Sequence, residues 1–244
     1  MKEKQVIQEA FSELSPRYEE AMDNELKLFW GWSYNKFLEE LISRTEISEN
    51  QKILDIATGT SYIPRRIMQL NKHGVRITAQ DISESMLKQG KRKIISESYQ
   101  DSIDQACSDA MALPFKDQSF DVVVTGLSSH HMHIPTMLSE MRRVLKPGGL
   151  LSLIDVGTSP FWELPIMKGI GRIIAFIYFL VKENSNRAWA EAAAVSNLRT
   201  PEGWQNDLQK AGFHTITIHK LTSRYQWAPE PLSIQSYYYR EEIS

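Results

Sequence analysis

Short apolar runs and longer helical stripes alternate along this chain. Val6, Ile7, Ala10, Phe11 and Leu14 recur at helical spacing. Leu26, Phe29, Trp30, Phe37, Leu38, Leu41 and Ile42 continue the pattern, with breaks near Pro16 and Gly31, so residues 4–47 are expected to be helical. At Lys52–Ile56 the period changes. K-I-L-D-I is short and rich in β-branched residues, which suits a strand buried on both faces. A turn of small residues, Ala57 to Ser61, follows, and Ile63, Ile67 and Leu70 then resume helical spacing, with Pro64 tolerated in the first turn. Further strands are expected at Val75–Asp81, Ile103–Asp109, Phe120–Gly126, Gly149–Val156, Phe213–Leu221 and Ile234–Tyr239. Pro135–Leu145 reads as a helix stopped by the breaker cluster Lys146-Pro147-Gly148-Gly149, and Thr200-Pro201 opens another with an N-cap and an N1 proline. Ser159–Leu198 is dense in apolar residues. Its stretch Ile170–Val181 is apolar nearly all round, which predicts a helix that is buried or lines an apolar pocket, and the alanine-rich segment around Trp189 predicts a second helix beside it.

With 244 residues, 42% of them hydrophobic, the chain has enough apolar surface for one sizeable core. A single domain is expected over 1–244. It divides into a helical arm (1–47), a core (48–157), a helical insertion (158–199) and a closing helix with strands (200–244). Lys and Arg total 28 against 30 Asp and Glu, so no basic excess points to nucleic acid. The one cysteine, Cys107, excludes an intrachain disulfide and offers no zinc pattern, and it is expected to be a buried, inert thiol. The N-terminus lacks the apolar stretch of a signal peptide, and Ile170–Val181 is shorter than the roughly 20 residues that span a bilayer. A cytoplasmic protein is expected.

Several strands end in an acid or beside one. The turn after the first strand, short of side chains and leading into a helix N-terminus, can let a ligand touch backbone and can offer free N–H groups to anionic or polar atoms. Asp81, at the end of the second strand, can accept from two vicinal ribose hydroxyls. Ser83 then reads as an N-cap, with Met86 projecting back from the first helical turn. The fourth strand runs into L-S-S-H-H-M-H-I-P, a polar loop at the sheet's carboxyl end, where open α/β folds bind ligands.

D-I-A-T-G-T-S (55–61) resembles the D-x-G-x-G-x-G motif of class I S-adenosylmethionine (SAM) dependent methyltransferases, with Ala57 and Ser61 in place of the first and third glycines. D-I-S-E-S-M-L (81–87), D-A-M-A-L-P-F-K-D-Q-S-F-D (109–121) and R-V-L-K-P-G-G (143–149) match further motifs of the ubiquinone/menaquinone-biosynthesis-like subgroup (methyltransferase type 11). F-S-E-L-S-P-R-Y (11–18) resembles its cofactor-covering arm. This resemblance implies an α/β, Rossmann-like, seven-stranded and mostly parallel sheet with helices on both faces, an antiparallel last strand and a helical lid. It implies SAM as cofactor, held by Tyr18, Asp55, Ala57, Gly59, Thr60, Asp81, Ile82, Met86 and Thr125. Asp109 would accept from the adenine amino group, with Ala110 and Met111 along the ring. The reaction implied is methyl transfer to oxygen or carbon of a hydrophobic small molecule, free or held on a carrier protein, with His130 or His131 as the base. No metal is expected, because no acidic or cysteine ligand accompanies the histidines in the sequence.

The string S-S-H-H-M departs from the G-L-R-N-V-like string typical of quinone C-methyltransferases. That leaves the acceptor open between a quinone precursor and a polyketide-like metabolite. A SAM-fold protein that does not methylate is the alternative reading. An NAD oxidoreductase is disfavoured by the absent G-x-G-x-x-G.

Overall fold

The computed structural model describes residues 2–224 and 230–239; residues 225–229 and 240–244 of the expected closing segment lie outside the described residues. The strands are β1 (Lys52–Ile56), β2 (Arg76–Asp81), β3 (Ile103–Cys107), β4 (Phe120–Gly126), β5 (Leu145–Asp155), β6 (His214–Lys220) and β7 (Leu232–Tyr237). They form one seven-stranded sheet in the order β3-β2-β1-β4-β5-β7-β6. The first five run parallel, and β7 lies antiparallel between β5 and β6. The expected fold class is the observed one. Strand order reverses between β1 and β4, so the crevice outside their carboxyl ends is where an open α/β sheet receives ligands.

Alternation along the strands builds two cores. Ile53, Ile77, Ala79, Val122 and Val124 face one side, packed under α2 (Tyr18–Phe29), α3 (Tyr34–Arg44), α4 (Tyr62–Met68) and α5 (Glu84–Ser96). Leu54, Ile56, Val123, Leu151 and Leu153 face the other, under α6 (Ile134–Val144) and α10 (Pro201–Lys210), where Trp204 and Phe213 are fully buried. Ser83 and Thr200 cap α5 and α10, accepting from the N–H groups of Met86 and Gly203.

Two expectations need correction. β5 begins at Leu145, directly at the end of α6, and the Lys146–Gly149 stretch bulges out of it. The pairing jumps from Phe120–Leu145 to Val122–Leu150, with Gly148 at φ +80° and hydrogen-bonded to Tyr238. Cys107 is exposed, because β3 is the sheet's edge and its last residue lies beyond the cover of the neighbouring helices. The apolar insertion lines an apolar cavity with its inner face, one of the two outcomes expected of it, but is not buried all round. α7 (Pro160–Glu163), α8 (Pro165–Lys182) and α9 (Ser185–Ala194) form a cap, and α8 packs on α7, α9 and the 3-10 turn at Val195–Asn197 while its outer face stays open. Apolar composition drives burial only where a second element is present to pack against.

The arm closes over the front of the sheet. α1 (Lys2–Leu14) packs on α5 and α9. Glu19, at the start of α2, accepts from the Thr60 hydroxyl (2.6 Å) and pairs with Lys93 (2.6 Å) and Arg65 (3.4 Å).

Candidate active site

β1 delivers Asp55 and then the turn. Ala57, Gly59 and Ser61 all have positive φ (54°, 55° and 61°), the backbone that the family pattern reserves for glycine. Ala57 and Ser61 therefore keep the shape of the motif at a cost of about 1–2 kcal/mol each. Gly59 has a second constraint: a Cβ there would sit 3.3 Å from the Tyr18 ring, so a side chain would require the arm to give by a few tenths of an ångström. Ser61 fills space that Gly90 of α5 leaves open, since a Cβ on Gly90 would lie 2.4 Å from the Ser61 hydroxyl.

Asp81 ends β2 with both oxygens engaged. Oδ2 accepts from the Gly59 N–H and Oδ1 from the Ser83 N–H, each at 2.8 Å. Burial pushes its carboxyl up to about 6, against those backbone donors. Asp55 is fully buried beneath the turn; neither oxygen has a hydrogen-bond partner among the described residues, and burial pushes it up to about 8. Asp109 follows β3. Oδ1 accepts from the Met111 N–H (2.9 Å), and Oδ2 pairs with Lys4 of α1 (2.7 Å), so the arm reaches across the cleft to it.

Tyr18, Ala57, Gly59, Asp81, Ile82 and Met86 line the inner part of the cleft. Asp109, Ala110 and Met111 line an adjoining cavity of about 470 Å³ that shares Ala57 and Ile82 with it. Asp55, Thr60 and Thr125 are outside this lining. The Thr60 hydroxyl is spent on Glu19. That of Thr125 donates to the Ile56 carbonyl (2.8 Å) and therefore accepts from Ser128 (2.7 Å), tying the loop after β4 to the end of β1.

Behind this cleft lies a second cavity of about 280 Å³, mostly apolar, walled by α2, α8, α9 and the histidine loop. Phe11, Leu127 and His131 border both spaces. Leu127 has φ 55°, a conformation that a bulky residue seldom adopts, which points its loop at the junction.

His130 opens into this second cavity and is held by Asp155, the last residue of β5. His130 Nδ1 is 2.6 Å from Asp155 Oδ1, and the His130 backbone N–H reaches Oδ2 at 3.2 Å. Val156 N–H (2.7 Å) and the Ser129 hydroxyl also donate to that carboxylate. Since Asp155 only accepts, Nδ1 carries the proton and Nε2 is left free as the acceptor. Burial opposes charge on His130, but the Asp155 carboxylate outweighs it and raises the imidazole above its usual value, while Asp155 is held below its own. His131 behaves oppositely: burial and the neighbouring His130 lower it.

Arg187, 3% exposed, stands between Glu25 (3.0 Å) and Glu191 (3.1 Å), with its guanidinium over the rings of Phe11 and Phe179. Its Nε and Nη1 are buried without partners among the described residues. Burial pushes Glu25 up to about 7, whereas Arg187 and His131 overcome burial to hold Glu191 well below the usual range.

Asp155, Glu191, Arg187 and Glu25 were not singled out by the sequence reading. Asp155 had a signal, being one more acid at a strand end. The others lie on helices, where only contact across the fold reveals them. Glu191 also supplies the acid that the sequence lacked beside the histidines: atoms of His130, His131 and Glu191 all lie within 4.8 Å of one another. Arg187 already puts a positive charge on Glu191 there, which competes with a cation.

An acid-tipped cleft at the switch point of this sheet, with a glycine-type turn beneath it, is the arrangement of the Rossmann-like SAM-dependent methyltransferase class. The chain belongs to the ubiE/COQ5 methyltransferase family, whose model matches residues 1–225. It is 31% identical over 156 residues to ubiquinone/menaquinone biosynthesis C-methyltransferase UbiE of Geotalea daltonii, covering 64% of this chain and 65% of that one. It is 37% identical over 182 residues to the UbiE of Ruegeria sp., covering 70% of each. The match to the Geotalea protein thus spans less than two thirds of that protein's length. Geranyl diphosphate C-methyltransferase of Streptomyces coelicolor shares the fold, with a TM-score of 0.64 at 14% identity, covering 83% of this chain and 78% of that one.

The residues present fit SAM. Gly59 brings bare backbone to the cleft, Asp81 offers remaining lone pairs to two hydroxyls, and Ala110 and Met111 offer apolar and thioether surface beside an acid suited to an amino group.

Proposed function

We propose that this protein transfers the methyl group of SAM to a ring carbon of a hydrophobic, hydroxylated aromatic acceptor of the quinol type. The observation that carries this reading is the second cavity: a mostly apolar chamber abutting the cofactor cleft, whose polar lining of Glu25, His130, His131, Arg187 and Glu191 includes a histidine backed by Asp155 and an arginine with two buried donors unpartnered among the described residues. SAM supplies a methyl group made electrophilic by its sulfonium. Tyr18, Gly59, Asp81, Ile82, Met86, Asp109, Ala110 and Met111 hold it, and Asp55, Thr60 and Thr125 support the turn and loop around it.

The protein's share of the chemistry is alignment and proton management. His130 Nε2 takes the proton of the acceptor hydroxyl, and Asp155 stabilises the imidazolium that forms. The resulting oxyanion would enrich the neighbouring ring carbon toward the methyl group that SAM would supply. As the carbon–methyl bond forms, the methyl–sulfur bond breaks and S-adenosylhomocysteine leaves; the proton on that ring carbon is lost to water as the ring rearomatises. Arg187 donates to a second acceptor oxygen, fixing which carbon faces the cleft. His131, kept neutral, packs against Phe11 at the junction and excludes water.

The test is incubation of the full chain with SAM and chemically reduced short-prenyl naphthoquinols, followed by mass spectrometry of the product. A single added methyl on a ring carbon, with S-adenosylhomocysteine formed in step, supports the reading. A methyl on oxygen would replace carbon with oxygen as the target. S-adenosylhomocysteine no higher than in acceptor-free controls would favour a fold that binds SAM without methylating these acceptors.

A further inference from the structure

The outer face of α8 has no covering element among the described residues. Ile166 (77% exposed), Ile170, Ile173, Ile177 and Leu180 recur at intervals of four and three and form one stripe. Val181 at 83% extends it, and Phe161 of α7 and Trp189 of α9 add exposed aromatic rings to the same cap. A soluble surface rarely gathers this much apolar area without a partner. The charges on α8 are Lys168, Arg172 and Lys182, all positive and all off the stripe, and no acid lies between Leu164 and Lys182. Glu163 precedes the helix, and Glu183 after it is already paired with Arg17.

We infer that the α7–α9 cap docks on an anionic lipid bilayer, with α8 lying in the interface. Three observations select this occupant. An apolar stripe on a helix whose charged positions, all on its other face, are all cationic, with exposed aromatic rings on the same cap, is what a helix lying in a headgroup layer presents. The helix does not cross: no helix among the described residues is long and apolar enough. A second copy is the outcome the test must separate, because two such stripes could also cover each other without bringing the off-stripe cations together. The face is also continuous with the second cavity, since Ile174 is 58% exposed and also lines it, while Gly171, Ala175 and Tyr178 form the wall behind. A hydrophobic acceptor dissolved in lipid would thereby reach the cavity along α8. That last step rests on the proposed function; the docking does not.

The experiment is flotation of the full chain with vesicles of phosphatidylcholine alone or with about one third phosphatidylglycerol, comparing wild type with Ile173→Glu/Ile177→Glu. Neither side chain lines the cavity. Circular dichroism and S-adenosylhomocysteine affinity unchanged from wild type establish that the variant is folded. The expected result is wild type recovered with the anionic vesicles, at least tenfold less recovery of the variant, and about fivefold less for each of Arg172→Ala and Lys182→Ala. Wild type left in the soluble fraction with both vesicle types overturns the proposal, as does equal recovery of wild type and the double variant. A wild-type dimer by light scattering that the double variant dissociates, without vesicle binding, would assign the face to a second copy. Because flotation needs no turnover, its failure is separate from a failure of the methylation reading.

Discussion

The two cavities that meet at Leu127 are built on opposite principles. The cofactor cleft is made of strand ends. Asp81 and the Ala57–Ser61 turn project from strands whose register is locked by ladder hydrogen bonds on both sides, so their polar atoms are placed by the sheet itself. The second cavity is made of helices from distant parts of the chain. They are joined by a few polar contacts: Arg187 with Glu25 and Glu191, Arg17 with Glu183, and Asn184 with Glu13 (2.9 Å). Asp155 and His130 are the exception, a strand-end pair that reaches into the helical chamber. The difference teaches where accuracy is needed. On the proposed function, the atoms nearest the methyl group would be carried by the sheet, and the walls facing the acceptor by helices joined through packing and ion pairs.

Asp155→Asn breaks the comparison at its strongest point. It keeps the size of the side chain but removes the charge that fixes the His130 tautomer. The turnover number is expected to fall about 10²- to 10⁴-fold, while S-adenosylhomocysteine affinity, read by calorimetry, stays within about twofold. Losing the carboxylate also lowers the His130 pKa, so the acidic limb of the pH–rate profile moves to lower pH. An unmoved limb would remove His130 as the base.

Asp81→Ala tests the other cavity. It deletes an acceptor for ligand hydroxyls and orphans the Gly59 and Ser83 N–H groups. S-adenosylhomocysteine affinity is expected to drop about 10- to 100-fold. Full retention of affinity would contradict the ribose role.

The smallest effect concerns stability. Asp55, Asp81 and Glu25 are raised to about 8, about 6 and about 7, so over the window they govern the folded state binds more protons than the unfolded chain. Raised His130 acts in the same direction above its unfolded pKa of about 6.5. Asp155 and Glu191 are lowered and are ionised in both states there, and His131, also lowered, opposes only below about pH 6.5. The melting temperature of the ligand-free protein should therefore fall as pH rises from 6.5 to 8, and Asp55→Asn should flatten that slope. A melting temperature that rises over this interval would show that these carboxyls are ionised in the fold.

How much of this was legible in the sequence follows the same division. Strand ends carry local signals: a change of period, an acid, a turn of small residues. Asp81, Gly59 and Asp109 could be expected along one cleft because their neighbours in sequence are also their neighbours in space. Ala57 and Ser61 look like departures as letters, yet their backbone keeps positive φ, a property that residue identity does not encode for alanine or serine. Arg187 and Glu191 sit at i and i+4 in an alanine-rich helix and read as an ordinary surface pair; only the packing of α1, α8 and the histidine loop around α9, with Glu25 of α2 reaching Arg187, buries them. The exposure of α8 was illegible for the complementary reason. Apolar spacing states that a face seeks cover and is silent on whether the chain provides it.

The place of β7 bears on how the protein is made. β7 fills the gap between β5 and β6 but follows both in the chain, so the open edge of β5 waits through the whole stretch from Asp155 to Leu232. At about 5–20 residues per second, that is roughly 4–15 s on the ribosome. During that interval Leu150, Leu151, Leu153 and Ile154 present an apolar strand with unpaired backbone, and β6, once made, has no other strand to join. Yield in a cell should therefore depend on chaperone capacity during synthesis more than on the stability of the finished fold.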